Sequence, residues 1–151
     1  MFTNDERKQL SCDFWIAFGA YCKTLPELDH RKKKFMLYNT KMTGVDLKFD
    51  LSKDGVAVVL EINTRTPEVR LEKYERFKTY KPIFSQICGE GKLIWEPLFV
   101  RESGQKVSRI YVKKEGIDSY ERADWPQFFE FMAKEMFLLE SAYKEVKSAM
   151  D

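Results

Sequence analysis

The chain has one histidine and three cysteines in 151 residues. That scarcity excludes most of the chemistry built on those side chains. A histidine-rich metal site cannot form. A Ser-His-Asp triad would have to use His30, which sits in a charged stretch. Cys12, Cys22 and Cys88 show no Cys-x-x-Cys spacing, and an odd count speaks against both a disulfide framework and a zinc site. A reducing cytoplasm is the compartment this usage predicts. There is no Gly-rich phosphate loop and no Gly-x-Ser-x-Gly. No long apolar run occurs either. The longest, Val56 to Leu60, is far too short to span a bilayer. The start, Met1-Phe2-Thr3-Asn4-Asp5-Glu6, lacks the basic and apolar regions of a signal peptide. Excess charge is missing too: 26 Lys and Arg against 24 Asp and Glu leave a formal charge of +2. A dedicated nucleic-acid binder normally carries a strongly basic face. The one basic run, His30-Arg31-Lys32-Lys33-Lys34, follows Glu27 and Asp29 and reads first as a solvated loop, with phosphate contact the sharper alternative.

What is present is ring-rich. Apolar residues make up 44% and charged residues 33%, a mix that folds. The 12 Phe, 7 Tyr and 3 Trp predict a core dense in aromatic contacts. One domain spanning 1–151 is expected, because a chain of this length can bury roughly 68–70% of its unfolded surface.

Hydrophobic periodicity gives the elements. Thr3 and Glu6 form a capping box for a first helix over about 4–23, with Leu10, Phe14, Phe18 and Tyr21 at helical spacing. Leu25-Pro26 ends it. Phe35 to Asn39 reads as a short strand. Val45, Leu47, Phe49 and Leu51 alternate with Asp46, Lys48 and Asp50, which predicts a strand with one apolar and one polar face. Asp54-Gly55 is a hairpin signal, and Val56 to Asn63 forms the return strand. A second helix runs from about Glu68 to Gly89, kinked or split at Pro82. Two strands follow, around Leu93–Val100 and Lys106–Lys113. Their Ser103-Gly104 turn sets Arg101 opposite Lys106 and Arg109 diagonal to Glu96, within reach of an ion pair. Pro97 places the first of them at an edge or a bulge. The last helix, 124–150, opens with Asp124 and Gln127 as a capping box and Pro126 in its first turn. Trp125, Phe129, Met132, Met136, Leu139, Tyr143, Val146 and Met150 form a heptad seam to its end. The prediction is an α+β domain of order α-β-β-β-α-β-β-α, with an antiparallel-rich sheet of about five strands and three flanking helices. At about 1.5 Å per residue the last helix is nearly 40 Å long; Trp125 to Leu139 reads first as a core helix lying across the sheet, while Tyr143 to Met150 reads either as a continuation of that core helix or as a surface for a partner helix in a homodimer through 124–150.

The hairpin carries the candidate chemistry. Asp46, Lys48, Asp50, Glu61 and Asn63 share one sheet face, because side-chain direction alternates. Carboxylates converging on adjacent strands can hold Mg²⁺ with a substrate phosphate. The order α-β-β-β-α-β resembles the core of restriction-endonuclease-like nucleases. In that superfamily an acid on the second strand and a Glu-x-Lys on the third bind metal and position water. Here the third strand ends Glu61-Ile62-Asn63; the lysine is missing, and Lys48 could stand in. Register separates two readings. A two-residue turn at Asp54-Gly55 sets Lys48 opposite Glu61, an ordinary cross-strand ion pair. A four-residue turn sets Asp46 opposite Glu61, which is unfavourable without a cation. The Asp-Gly signal favours the first. Cys22 and Cys88 read as small buried apolar residues.

Several stretches, in order, resemble a bacterial family known only as domain of unknown function number 4268. They are Phe14-Trp15-Ile16-Ala17-Phe18-Gly19, Tyr38-Asn39-Thr40-Lys41-Met42-Thr43-Gly44, Glu61-Ile62, Tyr74-Glu75-Arg76-Phe77, Leu93-Ile94-Trp95-Glu96, Ser108-Arg109-Ile110-Tyr111, Asp124-Trp125-Pro126 and Met136-Phe137-Leu138-Leu139-Glu140. The likeness covers nearly the whole chain. It implies a stand-alone, mostly bacterial cytosolic protein with no assigned activity; some relatives carry a similar domain after a nuclease-like module. Trp15, Trp95, Arg109 and Trp125 then read as framework. The expected function is a non-enzymatic interaction or assembly module, without a cofactor. The alternatives are a Mg²⁺-dependent nuclease, or a degenerate relative of one, at Asp46, Lys48, Asp50 and Glu61, and a nucleic-acid binder acting through the basic loop 30–34.

Overall fold

The computed structural model describes residues 2–25 and 40–151. The expected strand at Phe35–Asn39 and the basic run 30–34 lie outside these residues. Among them the order is α1 (Asn4–Lys23), β1 (Val45–Ser52), β2 (Gly55–Ile62), α2 (Pro67–Lys78), α3 (Lys81–Cys88), β3 (Ile94–Val100), β4 (Lys106–Glu115) and α4 (Trp125–Met150). The class is α+β. All strand pairs are antiparallel, in the order β1-β2-β4-β3. The described residues hold four of the five strands expected from sequence, the fifth being the one at 35–39 that lies outside them, and four helices in place of three. The additional helix comes from Pro82, which lacks an N–H and sits in the first turn of α3, so the predicted second helix splits. No described helix is long and apolar enough to cross a membrane.

The helices cover one side of the sheet. Val56, Val58, Leu60 and Ile62 of β2 face them, the last three at 0% exposure. From α1, Leu10, Phe14, Phe18 and Cys22 enter the same core. Thr3 caps α1 by accepting the Glu6 N–H at 3.1 Å. The ring density becomes edge-on packing: Phe14 meets Trp125 at 5.4 Å and Phe128 at 5.5 Å between centroids, both near-perpendicular.

α4 follows the core-helix reading of its seam. Its 26 residues extend about 39 Å, yet burial runs nearly to the end. Leu139, Tyr143 and Val146 are 1%, 3% and 0% exposed. The Tyr143 hydroxyl donates to Thr40 O at 2.7 Å, and Arg76 donates to Met150 O at 3.1 Å. The seam residues from Trp125 to Val146 therefore belong to the domain's own core. β2 is buried on both faces and needs a long apolar cover; α4 supplies it on one. The Asp124 cap is corrected. Its carboxylate accepts the Asp118 N–H at 2.9 Å and makes no capping bond, because a 3₁₀ turn at Arg122–Asp124 precedes α4.

Register differs from the favoured expectation in both hairpins. Ser52 pairs with Gly55, so Lys53 and Asp54 form the turn and Asp46 faces Glu61. Lys48 faces Val59, not Glu61. Gly55 serves a different purpose from the one its Asp-Gly context suggests: a Cβ there would lie 2.2 Å from Lys114 O on β4. Close backbone approach, not turn geometry, requires the glycine. In the second hairpin Glu96 faces Arg109 directly, and Val100, not Arg101, faces Lys106. Arg101 and Gln105 close a longer turn with Gly104 at φ +90°. The strands shift register between Glu96 and Phe99, around Pro97, and β3 is an outer strand. Both features expected of Pro97 are present.

Candidate functional site

These registers line up four ionisable residues across the sheet: Asp46 on β1, Glu61 on β2, Arg109 on β4 and Glu96 on β3. They occupy the face opposite the helices, together with Ala57, Val59, Tyr111 and Ile94, a small apolar cluster separate from the main core. Glu61 is 1% exposed and Arg109 is 3% exposed. A buried carboxylate needs cations around it. Lys48 Nζ lies 3.0 Å from Glu61 Oε1, a diagonal contact rather than the direct one expected. Arg101 Nη1 lies 3.8 Å from Oε2, and Arg109 Nε 3.7 Å from Oε1. The Lys48 approach is close in distance but off the hydrogen-bond direction, so Glu61 Oε1 and Arg109 Nε are charge-paired without a hydrogen bond.

Arg109 does not pair with Glu96 as sequence suggested. It reaches across β2 and donates to Asp50 Oδ2 at 2.8 Å, and its guanidinium stacks 3.9 Å from the centre of the Phe99 ring. Glu96 instead accepts the Tyr111 hydroxyl. Burial, with the Glu96 carboxylate beside it, pushes the Tyr111 hydroxyl up to about 12. Asn63 donates to Asp46 Oδ2 at 2.7 Å and to Glu61 Oε2 at 3.4 Å. Its amide relieves the facing of two like charges that the register creates.

The structure thus brings Asp46, Lys48, Asp50, Glu61 and Asn63 together, as the alternation predicted. It does not arrange them for a divalent cation. Glu61 is enclosed by Lys48, Arg101 and Arg109, Asp50 is held by Arg109, and Asn63 bridges Asp46 and Glu61. Among the described residues no group of three or more His, Cys, Asp or Glu converges as metal ligands would. A Mg²⁺ ion would have to displace three cations to reach one carboxylate. Cys88, buried and close to Glu135, has its thiol pushed up to about 11, which makes it a poor nucleophile at neutral pH.

Arg101 and Phe99 escaped sequence reasoning, since both depend on the bulge at Pro97 and the longer turn. The Arg109–Glu61 pairing did leave a signal. Each is the lone charge in an apolar strand, Val107 to Val112 and Val56 to Ile62, and the two are opposite in sign.

Comparison with known proteins adds a family and no function. No curated protein and no solved structure matches the chain. The family model for DUF4268, a domain of unknown function, matches residues 10–147, so the chain belongs to that family.

Proposed function

We propose that this chain is a non-enzymatic interaction module that assembles with a second copy of itself. The observation that supports the non-enzymatic reading is the enclosure of Glu61, at 1% exposure, by Lys48, Arg101 and Arg109. The cluster neutralises itself and binds β1, β2 and β4 together. It presents no nucleophile beside a base and no open cation position.

The assembly reading moves from the α4 seam to what the seam leaves outside. Phe137 is 37% exposed. It borders an apolar hollow of about 210 Å³ between α1 and α4, walled by Tyr21, Leu25, Ala133 and Leu138. The rim carries one acid, Glu130, and one base, Lys134. Across a two-fold axis such a rim is self-complementary, each acid meeting the partner's base.

Two measurements test this reading. Light scattering on the full chain is expected to give twice the 17.9 kDa chain mass, and Phe137→Glu is expected to return it to one. A single-chain mass at all concentrations overturns the assembly. Plasmid incubated with the protein and Mg²⁺ or Mn²⁺ is expected to stay intact. Nicking that disappears in Glu61→Ala overturns the non-enzymatic reading and establishes the nuclease in its place.

A further inference from the structure

A polar hollow lies away from the Glu61 cluster, at the end of the sheet that carries the β1–β2 turn. The loop after β4 clasps this turn. Ser119 N–H donates to Lys53 O at 2.8 Å, and Gly116 N–H donates to Asp54 O at 3.1 Å. The Trp125 indole N–H donates to Ser119 O at 2.8 Å. Turn, loop and the start of α4 are thereby one rigid piece. Against it α1 sets Arg7, Ser11 and Phe14, whose spacings of four and three put them on one helical face.

Between these parts is a pocket of about 200 Å³. Arg7 and Lys53 supply two positive charges to its wall, and no carboxylate lines it. Neither cation has an ion-pair partner among the described residues; the Arg7 guanidinium lies 5.9 Å from the centre of the Tyr120 ring, a contact that leaves its charge unneutralised. Ser11, Ser52 and Ser119 add hydroxyls, of which Ser52 already donates to Gly55 O at 3.1 Å. Phe14 and Leu51 form the apolar side. Two like charges facing one concave space repel each other until an anion enters. Guanidinium, ammonium and hydroxyl donors suit the several oxygens of one oxyanion. The apolar side limits hydration, which strengthens the attraction.

We propose that this pocket binds a small oxyanion: the phosphate or carboxylate group of a low-molecular-mass ligand. It is independent of the assembly surface and of the Glu61 cluster, so it stands or falls separately from the role proposed above.

The test is an amide ¹H–¹⁵N titration of the full chain with inorganic phosphate, acetate and chloride at matched ionic strength. Saturable shifts at Ser119, Lys53 and Arg7 in the millimolar range are expected, with the Arg7→Gln/Lys53→Gln double variant binding at least tenfold more weakly. Both side chains are exposed, so the variant keeps its fold. Saturation by phosphate alone assigns the site to phosphate esters; saturation by acetate assigns it to carboxylates. Shifts equal to those in chloride, or unchanged binding by the double variant, overturn the proposal.

Discussion

The self-neutralising cluster makes a quantitative prediction about two substitutions and their combination. Replacing Glu61 by Met removes the carboxylate between three cations. Lys48 and Arg101 have side chains 28% and 37% exposed and can hydrate; Arg109, with a side chain 4% exposed, keeps Asp50 at 2.8 Å as its charge partner and its place on the Phe99 ring. Breaking a buried pair from one side costs about 3–5 kcal/mol, and the remaining Asp50 contact reduces this to about 2–3 kcal/mol. Replacing Arg109 by Met leaves Glu61 to Lys48 and Arg101, and removes both the Asp50 bond and the stacking on Phe99. About 2–4 kcal/mol is expected. The double variant buries two apolar side chains where two charges had been, so its cost falls well below the sum. A coupling of about 2 kcal/mol is the result, inside the range for contacting residues.

Urea unfolding at neutral pH, followed by tryptophan fluorescence, measures all four corners of the cycle. In a thermal scan Glu61→Met should lower Tm by about 4–12 °C and Arg109→Met by about 4–16 °C, from about 2–4 °C per kcal/mol for a chain of this length. Additive losses would show that Glu61 and Arg109 do not sense each other. A Glu61→Met loss under about 0.5 kcal/mol would show that the carboxylate is effectively solvated. Either result refutes the reasoning. So does a Tm that millimolar Mg²⁺ raises in the wild type but not in Glu61→Met, since a cation would then belong where we place a salt-bridge network.

Four further outcomes follow from the packing. Cutting the chain after Leu139 removes Tyr143 and Val146, worth about 1.5–3 kcal/mol each in burial, together with the hydrogen bond to Thr40; that approaches the whole stability of a domain, so near-UV circular dichroism should be lost, and its retention would contradict the core assignment. Gly55→Ala should cost about 1–3 kcal/mol through the Lys114 carbonyl while Asp54→Ala stays within about 0.5 kcal/mol, and equal costs would restore the Asp54-Gly55 turn. Of the three thiols, exposed Cys12 should react with a thiol reagent in the native protein, and buried Cys22 and Cys88 only on unfolding; fast labelling of Cys88 would contradict its raised pKa. Tyr111 is neutral in the fold up to about 12, against an ordinary 10.0, so the unfolded chain loses that proton first and stability should fall as pH rises from 10 toward 12; Tyr111→Phe should flatten the fall.

Legibility from sequence followed locality. α1, its Thr3 cap and the break at Pro82 each depend on residues within a few positions of one another, and each is present. The hairpin register depended on a residue about sixty positions away. The Asp54-Gly55 pair marks Gly55 as a turn glycine, but its constraint is the Lys114 carbonyl on β4, which no local pattern displays. The consequence was limited by the pleat. The expected register, Lys48 opposite Glu61, differs from the observed one, Asp46 opposite Glu61, by two residues. A slip of two keeps every side chain on its own face; a slip of one would have moved them all. So the membership of the polar face was readable, and the partners were not.

The same logic explains α4 and the Glu61 cluster. Over 26 residues a repeat of 3.5 and one of 3.6 differ by less than a quarter of a turn, so a coiled-coil seam and a core-facing stripe look alike. What decides between them is demand from elsewhere. β2 is buried along its whole length, and its helix-side residues Val56, Val58, Leu60 and Ile62 require a long apolar cover that α4 provides. On the opposite side the demand is electrostatic. Glu61 sits where solvent cannot reach it, so the sequence had to place cations within reach of β2, and Lys48, Arg101 and Arg109 arrive from the β1 strand, the β3–β4 turn and the β4 strand. A lone charge inside an apolar strand is therefore a readable request for an opposite one inside a neighbouring strand. That makes Arg109, more than Asp46 or Asp50, the residue on which the state of Glu61 depends.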